Sequence, residues 1–488
     1  LKEPISNKLS RNAFSIAIGQ GVSLIVNFFS IAIAARFLGV IEFGEFGVYL
    51  AVVSILSRVI DLGLSPIVFR EVSTQKEKIS LLSNALSIRL VLYFIILVIY
   101  NLVLFFINAG QTAVILSNFL FLSMIISSKF GNFRELLDIP FKADLNMALP
   151  MMVVMFENVL LLAGVLIMPY INGGLYYFIS VYVLSNVPGF IMILYLLKKK
   201  YGYVFHFEVN LYKWLIRESL PLWVYVLLNV LFQQLDIIFL KKLNDSYATG
   251  LYTAAFRLSV PLVIIPTALV HTIFPLLLSS DKHRSETIIK FIIKTIFLIP
   301  FALAVVFTFK AEPITNLIFG NEYTEAGTAS AILLWSQIFL FSSFFVIDLL
   351  VAYKKQSWIF IYSLLILTSN VTFNFILIPN YSATGAGLSK LISSIIGFSF
   401  TFWVFHKVNL SVNLDKIRIF LWAGIFFLSI YVCSFLPLFL YLFFSALMVF
   451  ASLLMAGYYE SSELSFLFKT INKENWFSKL SAAGVFRK

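Results

Sequence analysis

The chain has 488 residues, 60% hydrophobic and only 12% charged, with a net charge of +12 at pH 7 and a mean hydropathy of +0.94. That composition excludes a soluble domain, which could not keep so much apolar surface from water. It also makes nucleic-acid binding a poor reading, because the basic residues are scattered over many short connections and no patch gathers them.

In a membrane every backbone polar group must be satisfied internally, so only helices or closed barrels can cross it. Apolar runs of about 20 residues select helices. The spacing predicts an all-α polytopic membrane protein with about fourteen spans, at 13–35, 44–66, 85–107, 112–130, 147–168, 174–197, 218–240, 248–278, 288–309, 326–353, 357–379, 385–407, 417–435 and 437–457. The first span is too long, and too closely followed by others, for a cleaved signal peptide. The short connections leave no room for a soluble catalytic domain. The 53 phenylalanines suit lipid-facing positions. Cys433, in the thirteenth span, has no partner for an intramolecular disulfide.

Of the 36 lysines and arginines, 29 fall in the two tails and at even-numbered connections. Arg36, Lys241, Lys242, Lys310 and Lys390 lie at the opposite ends of the spans, and Arg58 and Arg257 inside them. The positive-inside rule then places both termini in the cytoplasm, and the net charge becomes a record of orientation.

Gly47-Val48-Tyr49-Leu50-Ala51 in the second span recurs as Gly250-Leu251-Tyr252-Thr253-Ala254 in the eighth. A second echo pairs Asn158-Val159, Pro169 and Gly173-Gly174-Leu175 with Asn370-Val371, Pro379 and Gly385-Ala386-Gly387-Leu388. The copies are six spans apart, so they predict two pseudo-symmetric six-helix lobes entering the membrane in the same direction. The expected units are an N-terminal lobe at 1–197, a basic linker at 198–217, a C-terminal lobe at 218–410, two extra spans at 411–457 and a cytoplasmic tail at 458–488. The linker lysines read as a topology anchor or as a contact to anionic lipid. The tail mixes aromatic residues with lysines, as a surface-lying helix would.

Ionisable residues inside spans cost several kcal/mol, so each is a candidate for function. Arg58 and Asp61 are three apart on one helical face. They form either a self-contained ion pair or a cation held by Asp61 for an anionic substrate. Arg257 must find a partner on another helix, of which Asp236 is the nearest candidate, or face a water-filled cavity. Two arginines on corresponding helices suit a diphosphate, because guanidinium forks onto phosphate oxygens and stays charged. Glu157 and Asp348 are lone carboxylates that either take up H+ or Na+ or serve as structural hydrogen-bond acceptors. Arg36 and Lys390 sit near outer span ends, within snorkelling reach of water.

Ala35-Arg36-Phe37-Leu38-Gly39 with Phe43-Gly44, and Asp61-Leu62-Gly63-Leu64 with Arg70-Glu71, resemble the first helices of bacterial polysaccharide flippases of the Wzx type. Asp236-Ile237-Ile238, Gly250 through Arg257, Pro275-Leu276, Gly320-Asn321-Glu322-Tyr323 and Ile378-Pro379 with Gly385-Ala386-Gly387 continue the resemblance over roughly 10–410. No single motif is specific; their order across twelve spans is. The resemblance implies the multidrug/oligosaccharidyl-lipid/polysaccharide exporter fold, like that of MATE transporters, with two six-helix lobes around a central cavity. The implied substrate is a polyprenyl diphosphate carrying a sugar repeat unit. It would be moved from inner to outer leaflet of the cytoplasmic membrane by alternating access, coupled to inward H+ or Na+ movement and without a cofactor. Arg58 and Arg257 would contact the diphosphate, with Arg36 and Lys390 as outer-side candidates. Membrane lipids are the surroundings, and a polysaccharide polymerase is one candidate protein partner.

Three rivals remain. A drug exporter of the same superfamily would favour acidic and aromatic cavities. A peptidoglycan-precursor flippase shares the fold. A membrane polymerase or glycosyltransferase needs a large external loop or acidic metal-binding motifs, and the connection at about 310–325 holds only Glu312, Glu322 and Glu325.

Overall fold

The computed structural model describes residues 5–74, 80–144, 146–202, 209–259, 262, 282–352, 355, 357–408, 415–460 and 463. These residues are helical almost throughout. In chain order the helices are α1 (Ile5–Asp61), α2 (Leu64–Thr74), α3 (Ser80–Phe106), α4 (Gln111–Ile126), α5 (Phe133–Ala143), α6 (Ala148–Ile167), α7 (Leu175–Leu184), α8 (Val187–Tyr201), α9 (Val209–Leu243) and α10 (Ser246–Ser259), followed by α11 (Lys282–Phe319), α12 (Ala326–Ala352), α13 (Ser357–Lys407), α14 (Lys416–Cys433) and α15 (Leu438–Ala456). The chain clusters into two compact units, Leu1–Thr253 and Ala254–Lys488.

Ten described helical segments are long and apolar enough to cross a bilayer. The longest two each carry two of the expected spans. In α1 the break is Gly39, at φ 72°, a left-handed conformation that glycine reaches at no steric cost. In α13 it is Ser382, at φ 54°, three residues after Pro379. The fourth expected span is shorter than predicted: α4 ends at Ile126, and Ser128–Phe130 form a 3-10 turn. The sixth is broken between α7 and α8. The eighth, 248–278, is described only through Ser259 and at residue 262, so Pro275-Leu276 lies outside the described residues. The tail beyond 463, with its expected surface helix, lies outside them as well.

The repeated glycine motifs pack against each other. A Cβ built on Gly44 of α1 would collide with the Ser246 carbonyl and with Gly250 of α10; one on Gly250 would collide with the Val40 carbonyl, and one on Gly47 with Thr253 Oγ1. Small residues let membrane helices approach closely, where dispersion replaces the absent hydrophobic drive. Beside this crossing, the Lys241 ammonium bonds to Glu45 and to Ser246, whose hydroxyl also donates to Glu45 at 2.6 Å. Gly250→Val should therefore push α1 and α10 apart and cost about 1–3 kcal/mol by overpacking. An unchanged apparent Tm in detergent would contradict this packing.

In the second unit, α14 and α15 cover α11 through Trp422, Phe426 and Tyr441, joined by Tyr458 just beyond α15. Lys294 of α11 is fully buried against Glu463 at 2.8 Å, while Tyr458 donates to the Lys294 carbonyl at 2.9 Å. On the other face, Phe420, Phe435 and Phe439 remain exposed, as lipid-facing side chains should. At the ends of α13 the Lys407 ammonium lies 5.1 and 4.8 Å from the rings of Trp358 and Trp403, an aromatic and cationic pairing suited to the headgroup layer.

Candidate functional site

The densest set of buried charges lies in the first unit, around the turn between α4 and α5. Gly131 sits at φ 58° in the left-handed region, and Asn132 precedes α5 with an irregular backbone. A turn held inside a membrane protein must have its carbonyls satisfied, and three consecutive ones are met by side chains from two helices. Ser57 Oγ of α1 donates to the Phe130 carbonyl at 3.1 Å, Arg58 Nη1 donates to that of Gly131 at 3.3 Å, and Arg89 Nη1 of α3 donates to that of Asn132. In return, Asn132 Nδ2 donates to the Ser57 carbonyl at 3.0 Å.

Asp61 does not pair with Arg58, which corrects both expectations for that couple. It is the last residue of α1, followed by Leu62 at φ 50° and Gly63 at φ 69°. Asp61 instead forms a short ion pair with Arg89, whose side chain is wholly buried and also donates to Ser65 Oγ at 2.8 Å. The Gly63 turn is obligatory for a second reason: a Cβ there would come within 2.9 Å of the Ser219 carbonyl.

Glu157 of α6 is not a lone carboxylate either. Arg134 Nη1 donates to it at 2.9 Å, with both side chains essentially buried, and Ser128 Oγ donates to its second oxygen at 3.3 Å. The same guanidinium reaches Asp138 of α5 through Nε at 3.3 Å. Lys129 stands over the Tyr182 ring, 4.3 Å from its centroid. Asp138 lies outside the membrane-crossing helices, and its burial pushes its carboxyl up while Arg134 pulls it down. Gly189 of α8 closes the site from one side, since a Cβ there would collide with Glu157 Oε1. Gly189→Ala should displace Glu157 and lower stability by about 1–3 kcal/mol, readable as a fall in Tm that Glu157→Gln does not relieve, because the amide keeps the same shape.

Arg58 differs from its neighbours. Its side chain is half-buried, its one hydrogen bond is long, and Trp223 Nε1 fixes its backbone by donating to its carbonyl at 2.8 Å. Glu135 approaches the same spot: Arg58 Nη1 and Glu135 Oε2 lie 3.0 and 3.1 Å from the point that a Gly131 Cβ would occupy.

The other expected residues lie apart from this cluster in the chain. Arg36 is exposed on α1 just before the Gly39 break. Asp236 of α9 is buried and accepts from the Tyr252 hydroxyl at 2.6 Å. Arg257, on the last turn of α10, and Asp348, on α12, are half-buried. Lys390 is only 2% exposed, so it does not reach water by snorkelling as expected. The echo asparagines are both buried, and each accepts from another asparagine: Asn158 from Asn27, and Asn370 from Asn374, both at 3.3 Å. Arg89, Arg134 and Asp138 were missed by the sequence reading. A signal existed in the i, i+4 spacing of Arg134 and Asp138. Among the described residues no cluster of His, Cys, Asp and Glu could hold a metal ion.

The family model described as polysaccharide biosynthesis protein matches residues 9–281, and that of the lipid II flippase MurJ matches 147–459. The capsular polysaccharide biosynthesis protein CapF of Staphylococcus aureus is 26% identical over 218 residues, which is 43% of this chain and 54% of the relative. The chain thus spans about half the length of that curated relative. Among solved structures, the lipid II flippase MurJ in an inward closed conformation superposes with a TM-score of 0.71 at 15% identity, covering 93% of this chain and 99% of MurJ. An inward-facing multidrug resistance MATE transporter of the MOP superfamily gives 0.59 at 14% identity, covering 80% and 96%. At such identities these structures establish the fold. The first family model spans more than half of the sequence, and the chain belongs to the polysaccharide biosynthesis protein family, with the fold seen in the MurJ and MATE structures.

Proposed function

We propose that the protein is a flippase that moves a polyprenyl-diphosphate-linked oligosaccharide, the repeat unit of a cell-surface polysaccharide, from the inner to the outer leaflet of the cytoplasmic membrane. It works by alternating access without covalent chemistry, driven by H+ or Na+. The single observation that carries this reading is the state of Arg58. Arg89 and Arg134 are consumed by buried carboxylates, whereas Arg58 is half-buried with one long hydrogen bond. A diphosphate oxygen offers it a shorter, charge-assisted bond. The lysine and arginine bias puts the turn holding it at the cytoplasmic end of the helices, where a substrate made in the inner leaflet arrives. Arg257, in the corresponding repeat, and Arg36, exposed on α1, are further candidates for contact with the substrate in this reading. A polysaccharide polymerase would receive the product.

The match of the MurJ family model over 147–459 favours a second reading, a lipid II flippase. Both substrates carry the same diphosphate, so Arg58 serves either, and the sugar decides. Binding by native mass spectrometry tests the shared head: the wild type should prefer polyprenyl diphosphate over monophosphate. Loss of a hydrogen bond to a charged group, about 1.5–3 kcal/mol, predicts at least a tenfold weakening in Arg58→Ala. Equal binding by that variant would remove the diphosphate role. Competition between an oligosaccharide-bearing and a peptide-bearing lipid would separate the two readings.

A further inference from the structure

Two buried carboxylates share one guanidinium, and they share it unequally. Glu157 receives a 2.9 Å bond from Arg134 Nη1 and a second from Ser128. Asp138 is buried too, 6% exposed, yet has one bond of 3.3 Å from Arg134 Nε. Arg134 Nη2 is buried with no hydrogen-bond partner among the described residues, so the guanidinium is not locked by a full set of acceptors. An ionised carboxylate this buried is costly unless paired and hydrogen-bonded, and Asp138 is the less compensated of the two.

We propose that Asp138 takes up and releases the coupling proton of the transport cycle, while Glu157 stays charged as the counter-ion of Arg134. The proposal rests on the flippase reading above. Protonation forms an O–H bond on the Asp138 carboxyl and breaks its ionic bond to Arg134 Nε. The proton comes from water and returns to water within the cycle, so no other reactant is consumed. Burial pushes the Asp138 carboxyl up, the direction that favours uptake.

The charges facing the site are accounted for helix by helix. On α5 itself, Lys142 lies 3.8 Å from Glu135 at the half-exposed rim. From α8, Lys200 stands 5.6 Å from the Phe141 ring, and the Tyr201 hydroxyl donates to the Pro140 carbonyl at 3.2 Å. From α2, Arg70 pairs with Glu71 and, at 3.6 Å, with Glu218 on the surface. Arg89 of α3 is held by Asp61, and Lys129 of the turn stands near Glu157 over Tyr182.

The route to the substrate is short. Arg134 is three residues from Gly131, whose carbonyl holds Arg58. A substrate that draws Arg58 away from that carbonyl alters the turn carrying Arg134, and thereby the hold on Asp138. By linkage, the proton and the diphosphate then change each other's affinity by the same factor.

The test uses the full chain in proteoliposomes with two readouts. The first is the protonated-carboxyl stretch in infrared pH-difference spectra, which needs no substrate. The wild type should show it, and Asp138→Asn should abolish it. Glu157→Gln should move its midpoint to lower pH, because Arg134 then serves Asp138 alone and favours its anion. The second is flipping of a polyprenyl-diphosphate oligosaccharide with and without a proton gradient, where Asp138→Asn should no longer respond to the gradient. Arg134→Lys keeps the charge and controls for folding, and should also shift the midpoint. A band that persists in Asp138→Asn, or a midpoint unmoved by Glu157→Gln, overturns the proposal. Flipping without any such band in the wild type overturns it too and leaves the flippase reading intact. The band without flipping sustains the proton site and removes the proposed substrate.

Discussion

Arg89→Ala is expected to destabilise the first unit by about 3–5 kcal/mol, the cost of leaving a buried carboxylate without its partner. Its guanidinium compensates Asp61, caps the Asn132 carbonyl and donates to Ser65, so one truncation strands three acceptors on α1, α2 and the turn before α5. The loss should appear as a large fall in Tm and a broadened size-exclusion profile. A double variant, Arg89→Met with Asp61→Leu, should recover much of it, since apolar replacement of a buried pair is often neutral. An Arg89→Ala protein as stable as the wild type would contradict the pairing.

Arg58→Ala carries the opposite signature: export should fail while folding survives. Its side chain gives up one long hydrogen bond to Gly131, and its backbone contact with Trp223 does not depend on the side chain. Stability should change by about 1 kcal/mol or less, while flipping falls by an order of magnitude or more. Arg58→Lys keeps the charge but loses the bidentate fork, and should recover part of the rate. An Arg58→Ala chain that exports normally would move the diphosphate elsewhere.

The membrane helices were legible because hydropathy over twenty residues is a sum, which tolerates local error. Their breaks were legible only in part. Gly39 advertises a left-handed turn, whereas Ser382 adopts one that no propensity announces. The glycine echo predicted two related halves but could not say that Gly44, Gly47 and Gly250 touch.

The site was read less well, and for a physical reason. Counting lysines and arginines by their distance from span ends treats every one as a topological marker. Arg89, Arg134 and Lys294 were counted that way, yet each is fully buried against a carboxylate. Arg58 and Asp61 looked like partners because three residues apart on a helix means one face. The helix ends at Asp61, and the Leu62-Gly63 turn carries the chain away, so α3 supplies the cation. Glu157 looked lone because its partner comes from a segment read as a connection.

The measurement that tests the central claim most directly is flipping by the purified chain in proteoliposomes, followed through access of an external probe to the sugar of a polyprenyl-diphosphate oligosaccharide. The account predicts protein-dependent movement that is lost in Arg58→Ala and Arg257→Ala and partly kept in Arg58→Lys. Movement undiminished in the double alanine variant, or movement of an organic cation in place of the lipid-linked sugar, would contradict it.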